Sequence, residues 1–429
     1  MKKISAIVCF LSVYLLGYSQ IHVRTLNESI RTLRVMPNRA FLVLDKELID
    51  GGEEGNVLEI SFDEMSHDVH QYTYTVSHWS ADWSRESALN SGEYLRGFTT
   101  RDIADFEHSI NTSREYTHYW FTFPNEDMLI TRSGNYRLYI YEDGDPEKRV
   151  AEVDFCVVEP LTRIETKVRT NTDIEFNGRF QQVDIDISTL DLQMNDPNEI
   201  KIVVRQNNRT DNEVWPTHAT FVEPKRLRYV NNKELIFEGG NEYHHFDAFS
   251  CFYAGVGIDR VFHENGDYQV LLFADEVLRG EYLHQYDSDG RFIVNAERTS
   301  DSDTEAEYMW VHWTLPMENP FFDGALYVGG DLFGNEMSLR NRLQYDNESR
   351  CYWLTTLVKQ GGYDYQYWFV QKNQEPRVRN LGLQPKTTTQ RVDGSYWQTE
   401  NEYAIYVYWR PFGARYDRLV GVQILHSGQ

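Results

Sequence analysis

The stretch SGNYRLYIY at residues 133–141 is followed by the turn sequence EDGDP at residues 142–146 and by a second strand-like run at residues 150–158. Two such runs joined by a short turn that contains glycine and proline are typical of a β-hairpin. We interpret this pair as the last hairpin of an antiparallel sandwich, which Pro160 brings to an end. The fold class that it predicts is all-β.

The residues that precede this hairpin show the two-residue period of half-buried strands. Leu58, Ile60 and Phe62 alternate with polar residues, and Tyr72 begins a second run of the same kind. Successive side chains of a strand point to opposite faces, so this alternation predicts one packed face and one exposed face. Residues 101–110 lack the alternation, and we predict a short helix there.

Two further β units follow the first. Val183, Ile185 and Ile187 alternate with polar residues and open a middle unit. The last unit ends in residues 403–409, where every residue is apolar or aromatic, and such a strand is typically covered on both faces. The sequence KQGGYDYQYWF at residues 359–369 predicts a hairpin with its glycines at the turn.

A change in composition separates the middle unit from the last one. The acidic stretch at residues 297–307 predicts a linker, because like charges are more easily solvated than packed. We therefore expect three tandem antiparallel β-sandwich domains of immunoglobulin-like or early-set-like type. Their predicted ranges are residues 20–160, 161–300 and 301–429.

The first 19 residues have the pattern of a secretory signal peptide. Lys2 and Lys3 precede an apolar run at residues 4–16 and a small-residue site, with predicted cleavage before Gln20. Nothing later in the chain reaches the roughly 20 apolar residues that a membrane span requires. We therefore expect an exported protein that does not insert into a membrane.

Charge and cysteine content exclude several classes of protein. The formal net charge of −24 argues against nucleic acid or an anionic lipid surface as a partner, because both would be repelled. The mature chain keeps three cysteines, Cys156, Cys251 and Cys351, so at most one intramolecular disulfide can form. The sequence also lacks the motifs of zinc proteases, P-loop NTPases, α/β-hydrolases and Cys-x-x-Cys redox sites.

The densest group of chemically active side chains is GGNEYHHFD at residues 239–247. It resembles an active site, since Asn241, Glu242, His244 and Asp247 lie so close together. Adjacent histidines on a strand point to opposite faces and cannot share a metal, whereas Glu242 and His244 can share one with a distant third ligand. We favour a structural junction, in which the glycines bend the chain and the polar side chains hold the middle domain against a neighbour. We expect no catalytic residue, cofactor or metal here.

Aromatic and acidic residues elsewhere leave alternatives open. Trp79 and Trp83 can stack on a sugar ring or belong to a core. The alternating tyrosines of residues 363–367 form either a binding platform or a layer between sheets. The sequence DSDG at residues 287–290 resembles the start of a calcium loop but lacks its third ligand and its terminal glutamate, so we favour a hairpin turn.

Eleven short motifs follow one another over most of the chain. They are Ser61-Phe62-Asp63, Tyr72-Thr73-Tyr74, Ala81-Asp82-Trp83, Tyr94-Leu95-Arg96-Gly97-Phe98, Ser109-Ile110-Asn111-Thr112, Pro124-Asn125-Glu126, Ser133-Gly134-Asn135-Tyr136, Gln206-Asn207, Gly240-Asn241-Glu242, Lys359-Gln360-Gly361 and Val407-Tyr408-Trp409-Arg410. Each motif is short, but their common order resembles that of the type IX secretion system plug protein family of Bacteroidetes.

This resemblance implies both a fold and a function. Members of that family are exported, non-enzymatic β-proteins that sit on the periplasmic mouth of the giant outer-membrane barrel translocon and close it when no substrate is present. The resemblance therefore implies a periplasmic plug, peripheral to the outer membrane, without catalytic or metal-binding residues. One departure is His244, where the family pattern leads us to expect an arginine, because the charge of a histidine titrates near neutral pH.

A second resemblance concerns the last unit. Residues 327–333 and 362–365 are similar to the early-set sandwich of glycogen-binding modules, although the sugar-stacking tryptophan expected after residue 333 is missing. Such a fold can be shared without its ligand. A secreted carbohydrate-binding protein is therefore the alternative function, and a plug that seals the translocon is the main one.

Overall fold

The structure, a computed structural model, describes residues 22–37, 41–44, 56–189, 192–278, 280–374 and 385–428. The predicted signal peptide lies outside these residues. Nearly all regular elements are β-strands in antiparallel sheets, so the predicted all-β class is confirmed. The described residues contain two α-helices, α1 (Ser91–Tyr94) and α2 (Ser302–Glu305), of four residues each. Within the described ranges, neither they nor any other helix has the length and hydropathy needed to cross a bilayer.

The first 12 strands form one sandwich. Their bounds are β1 (His22–Thr25), β2 (Ile30–Met36), β3 (Phe41–Val43), β4 (Leu58–Glu64), β5 (Tyr72–Trp79), β6 (Leu95–Gly97), β7 (Thr100–Ile103), β8 (Asp105–His108), β9 (Thr117–Phe123), β10 (Met128–Ile130), β11 (Gly134–Glu142) and β12 (Arg149–Val158). One sheet has the order β1-β12-β11-β5-β7 and the other β2-β4-β9-β8. Phe62 and Tyr119 of the second sheet contact Tyr72 of the first, so one core lies between them.

Two predictions for this sandwich have opposite outcomes. The hairpin is confirmed, because β11 and β12 pair in antiparallel register from Gly134 opposite Val157 to Tyr141 opposite Arg149. The short helix predicted over residues 101–110 is wrong, because β7 and β8 occupy that segment. β7 pairs with β5 and β8 pairs with β9, so each closes an edge of one sheet. Pairing with a neighbour outweighs a weak local preference at such edges.

The next strands begin a second sandwich. They are β13 (Arg163–Arg169), β14 (Phe180–Ser188), β15 (Ile200–Gln206), β16 (Phe221–Glu223), β17 (Arg226–Tyr229) and β18 (Ile236–Glu238). All of them except β15 form one sheet, in the order β13-β14-β17-β16 with β18 beside β14. Strand β15 belongs to a different sheet, and the strand that pairs with it lies about 200 residues later in the sequence.

The following strands form a third sandwich. They are β19 (His244–Asp247), β20 (Ile258–Glu264), β21 (Asp267–Leu272), β22 (Phe292–Val294), β23 (Tyr308–Pro316), β24 (Gly324–Gly329), β25 (Gln344–Asp346), β26 (Cys351–Lys359), β27 (Gly361–Gln371) and β28 (Thr387–Thr388). One sheet has the order β20-β21-β23-β26-β25, and in the other β19, β22, β24 and β28 all pair with β27. Phe246 and Trp313 join the two sheets in one core.

The last two strands, β29 (Glu402–Trp409) and β30 (Arg418–His426), return to the second sandwich. They form the sheet β15-β29-β30, and its Ile202 and Tyr403 share a core with Val183 and Ile185 of β14. The third sandwich is therefore inserted within the second. The predicted division at residue 300 does not separate the sheets, because β21 and β23 pair across it. Alternation identifies the buried face of a strand but not its partner.

Three further predictions concern β29, residues 359–369 and the turn at residues 287–290. Every residue of β29 is buried, which confirms that both faces of this strand are covered. The hairpin predicted over residues 359–369 is wrong, because β26 and β27 lie in different sheets and the chain crosses between them at Gln360. Residues 287–290 form a turn but not a hairpin, since β22, which follows, pairs with β27.

Ser61 and Asp63 on the polar face of β4 are buried, contrary to their predicted exposure, and the third sandwich covers Asp63, whereas Glu59 is exposed. The Lys359 Nζ atom lies 2.6 Å from the Asp63 Oδ2 atom, and neither side chain is more than 1% exposed. The Tyr308 hydroxyl donates to Asp63 at 2.7 Å, and the His118 Nδ1 atom lies 2.6 Å from the other carboxylate oxygen. Burial alone would raise the pKa of Asp63, but Lys359 and His118 outweigh it and hold this pKa below its usual range.

The predicted linker at residues 297–307 is packed against the first sandwich. Asp303 forms an ion pair with Arg34, and the Glu307 carboxylate accepts a hydrogen bond from the Ser113 main-chain N–H at 2.5 Å. The prediction of a solvated linker is therefore wrong, because basic and main-chain donors from the first sandwich neutralise or satisfy these acidic groups.

Replacing Lys359 by methionine is expected to lower the free energy of unfolding by about 3–5 kcal/mol, because Asp63 then stays buried without its cation. The double variant Lys359→Met, Asp63→Asn removes both charges and is expected to recover part of the loss. Urea denaturation measures both. Lys148→Met is the control, since its ion pair with Asp143 is about half exposed. Equal losses for Lys359→Met and Lys148→Met would contradict the expectation.

Candidate functional site

The two histidines of the candidate stretch lie on β19. His244 is opposite Tyr365 and His245 is opposite Asp364 on the antiparallel neighbour β27. Because side chains alternate along a strand, the two rings point to opposite faces of the sheet, as the sequence predicted. Each ring has its own pair of carboxylates, and the two sets do not overlap.

His244 is held by two aspartates from later segments of the chain. Its Nε2 atom lies 2.9 Å from Asp393 and its Nδ1 atom lies 3.3 Å from Asp275, while the ring stacks on Tyr365 with centroids 5.1 Å apart. Burial would lower the pKa of His244, but Asp393 and Asp275 outweigh it and raise this pKa well above 6.5. The two carboxylates thus favour the protonated, positively charged form of His244.

His245 is held in the same way on the other face. Its Nδ1 atom lies 2.6 Å from Asp364 and its Nε2 atom lies 2.9 Å from Asp247. The hydrogen bond to Asp364 outweighs burial and raises the pKa of His245 to about 9. A histidinium already carries a proton on both nitrogens, so neither histidine is suited to act as a general base at neutral pH.

The two glycines fix the chain where the second and third sandwiches meet. The Gly239 N–H donates to the Arg179 carbonyl, and the Gly239 carbonyl accepts from the Asn401 side chain, both at 2.8 Å. Gly240 has a φ of +66°, which most side chains disfavour, and its carbonyl accepts from the Tyr396 N–H. The predicted bend is present at this position.

Asn241 and Glu242, which lie between the glycines and β19, also contribute to the contact where the second and third sandwiches meet. The Asn241 side chain donates to the Asp393 carbonyl at 2.9 Å, and Glu242 accepts a hydrogen bond from the Tyr282 hydroxyl. Burial raises the pKa of Glu242. Since Glu242 and His244 have different partners, their side chains do not form the start of a metal site.

The guanidinium group of Arg137 covers the ring faces of Trp79 and Trp83. The Arg137 guanidinium carbon lies 4.3 Å from the centroid of Trp79 and 5.6 Å from that of Trp83. Arg137 also donates to Asp154 at 2.8 Å, so it is fixed by an ion pair while it covers the rings. A sugar ring that stacked on these faces would have to displace it.

The tyrosine alternation of β27 forms a layer between sheets. Tyr363, Tyr365 and Tyr367 are at most 5% exposed and belong to the core of the third sandwich. The hydroxyls of Tyr365 and Tyr367 both donate to Asp275, at 2.8 and 2.6 Å. Of the two alternatives that the sequence left open, the packing layer is the observed one.

The turn at residues 287–290 contributes one residue to a small acidic group. Asp289, Glu402 and His426 place potential ligand atoms within 4.8 Å of one another. Burial raises the pKa of Asp289 to about 6. The Arg291 guanidinium donates to Glu402 at 2.9 Å, so a metal ion would have to compete with an arginine. Sequence reasoning missed this group because its members come from three distant segments.

The cysteines were predicted to form at most one disulfide. Cys156, Cys251 and Cys351 are all free in the described chain. Cys156 is buried, and burial raises the pKa of its thiol to about 12, which makes it unreactive at neutral pH.

Comparison with known proteins complements this geometry. Residues 30–159 match a family model described as "Type 9 secretion system plug protein 1st domain". The crystal structure of a hypothetical protein from Parabacteroides merdae shares 34% sequence identity, covers 95% of this chain and 99% of its own, and has a TM-score of 0.87. The chain belongs to the type IX secretion system plug protein family. The motif order had indicated the same family, and that prediction is confirmed.

The remaining comparisons add no function to this plug-family protein. A structure described as "Biofilm associated protein - BSP domain" has a TM-score of 0.16 and 8% identity over 96% of this chain and 60% of its own, and carries no argument. No curated protein is significantly similar to the chain.

Several plug-family motifs meet at contacts between sandwiches. Asp63 and Lys359 belong to two of them, and the Tyr408 hydroxyl donates to the Asn135 side chain at 2.8 Å in another pair. The sequence gives the order of these motifs but not their pairing.

The free energy of unfolding is expected to fall as the pH rises from 6.5 to about 9, partly because of His245. In this window the folded His245 holds a proton that the unfolded one has released, so stability is lost with rising pH. The variant His245→Gln removes this titration and is expected to show a shallower fall in urea denaturation. His263→Gln, which replaces an exposed histidine, is the control. An unchanged slope in His245→Gln would refute the assignment.

The variant Gly239→Ala is expected to lower the free energy of unfolding by about 1–3 kcal/mol or more. A Cβ atom at residue 239 would lie 2.0 Å from the main-chain carbonyl oxygen of Tyr396, so the backbone would have to shift. Gly92→Ala is the control, because its Cβ atom meets nothing within 4 Å. Thermal denaturation of both variants measures the difference, and equal melting temperatures would show that residue 239 is not a tight junction.

Proposed function

We propose that this plug-family protein binds the periplasmic side of the outer-membrane barrel translocon of the type IX secretion system and closes it by steric occlusion. The observation that carries the proposal is the match of residues 30–159 to the first domain of the plug family. The similarity to a second protein along nearly the whole chain supports one conserved architecture for all three sandwiches.

An occluding body must keep its shape against a channel opening. Specific polar contacts connect the three sandwiches here: the first and third through Asp63 and Lys359, and the first and second through Asn135 and Tyr408. The inserted third sandwich is further held by the ion pair between Arg291 and Glu402 of β29. Because each sandwich contacts both of the others in this way, the three favour a single rigid unit. A rigid unit can keep its shape against a channel opening, which supports occlusion.

Binding to the translocon needs anchors within a polar rim. Interfaces are typically anchored by a few aromatic side chains, surrounded by charged and polar residues that keep the free protein soluble. Four aromatic side chains of the described chain are at least 79% exposed and are suited to this role. They are Phe252, Tyr286, Phe322 and Phe412.

The alternative function, carbohydrate binding, loses the residues on which it rested. Arg137 covers the faces of Trp79 and Trp83, and the tyrosines of β27 are buried. We therefore keep the sealing role as the proposed function and carry no second one.

A tagged copy of the protein is expected to co-purify the translocon barrel from cells, and deletion of its gene is expected to increase the permeability of the outer membrane to large antibiotics. Complementation with the wild-type gene should restore the barrier. The variants Phe322→Ser and Phe412→Ser are expected to restore less, whereas Val256→Ser, an exposed aliphatic control, should restore it fully. Failure to recover the barrel together with unchanged permeability would refute the sealing role.

A further inference from the structure

A cavity of about 260 Å³ lies between the first and third sandwiches. Glu28 and Arg31 line it from the first sandwich, and three strands and a loop of the third sandwich close its other sides. We call it the arginine cavity. The lining residues that matter for its chemistry are Arg31, Trp310, Arg340, Arg342 and Trp353.

Arg31 has no partner for its charge. Within the described residues its side chain makes no hydrogen bond or ion pair, and its Nε atom is buried without an acceptor. Burial and the neighbouring Arg340 lower the pKa of Arg31. A partly buried guanidinium without a carboxylate is destabilising, and a second cation beside it adds repulsion. The fold therefore holds the Arg31 guanidinium in a partly buried position without an ion-pair partner among the described residues.

The neighbouring groups compensate this charge only in part, since Tyr308 and Glu28 favour the charged form of Arg31 but do not outweigh burial and Arg340. Arg340 donates to the hydroxyl of Thr25 at 2.7 Å, which is a neutral partner. Glu28 also lines the cavity, but it is exposed and forms no ion pair with Arg31 or Arg340 among the described residues. On a chain with a net charge of −24, a cavity in which Arg31 lies beside Arg340 without an ion pair runs against the overall composition.

The size and the walls of the cavity narrow the class of ligand. Small-molecule sites usually enclose roughly 300–1,000 Å³, so 260 Å³ suits a single side chain or a chain terminus better than a whole metabolite. Guanidinium groups bind carboxylates through two parallel hydrogen bonds. Trp353, 39% exposed, and Leu339, 79% exposed, provide apolar surface for the residues next to the bound group.

We propose that the arginine cavity binds a carboxylate group of a peptide segment from a partner protein. Arg31 and Arg340 receive the carboxylate, and the peptide continues over Trp353 and Leu339. The bound segment touches both the first and the third sandwich and therefore strengthens their contact. This ligand does not depend on whether the protein seals a channel.

The carboxylate can come from an acidic side chain or from a chain terminus, and three peptides of the same length separate these sources. Acetyl-Ala-Glu-Leu-Ala-amide carries a side-chain carboxylate, acetyl-Ala-Gln-Leu-Ala carries a terminal one, and acetyl-Ala-Gln-Leu-Ala-amide carries none. Inorganic phosphate tests for a general anion site. Calorimetry and the fluorescence of Trp310 and Trp353 in the purified full-length protein measure binding.

At least one carboxylate peptide is expected to bind at least tenfold more tightly than the neutral peptide and phosphate. The variants Arg31→Met and Arg340→Met should each weaken this binding at least tenfold. Arg163→Met is the matched control, because Arg163 is 81% exposed on the second sandwich and should leave binding unchanged. Equal binding of the neutral peptide or of phosphate, or no binding of any peptide, would overturn the proposal.

The stability of Arg31→Met separates a binding role from a structural one. Methionine keeps the apolar stem of Arg31 and removes its unpaired charge, so the melting temperature is expected to stay the same or rise. A lower melting temperature together with unchanged peptide binding would show that Arg31 supports packing alone, and the proposal would fail.

Discussion

The ion pair between Asp63 and Lys359 joins two sandwiches that are far apart in sequence, and both of its charges are removed from water. Removing charges from water is costly, and this cost is offset only where every polar atom finds a partner. Asp63 meets the requirement with Lys359, with Tyr308 and with His118. A displacement of one sandwich along the other would separate the Asp63 carboxylate from Lys359 and Tyr308, so we infer that this pair selects one relative position for the sandwiches.

The stretch at residues 239–247 shows why a junction and an active site look alike in a sequence. Both need polar side chains that are withdrawn from water, and both must supply partners for them. His244 and His245 each lie between two carboxylates, an arrangement that can also orient a catalytic base. The difference lies in the charge state, because four carboxylates keep these histidines protonated and so use them as cations.

Local pattern predicted what local physics determines. The period of two in β4, β14 and the hairpin of β11 and β12 identified strands and their apolar faces, since these follow from side-chain alternation. It did not predict the partners of β15 or the burial of Asp63, because a polar face covered by another sandwich has the same pattern as one in solvent. The arginine cavity was not predicted either, because Arg31 and Arg340 come from distant segments of the chain.

The insertion of the third sandwich within the second has a consequence for biogenesis. The core of the second sandwich needs β29 and β30, which follow the inserted third sandwich in the sequence. About 160 residues separate the end of β18 from the start of β29, so the apolar faces of strands β13–β18 stay uncovered until β29 and β30 pack against them. A chain without β29 and β30 cannot complete this core, so the second sandwich depends on residues that follow the whole inserted sandwich.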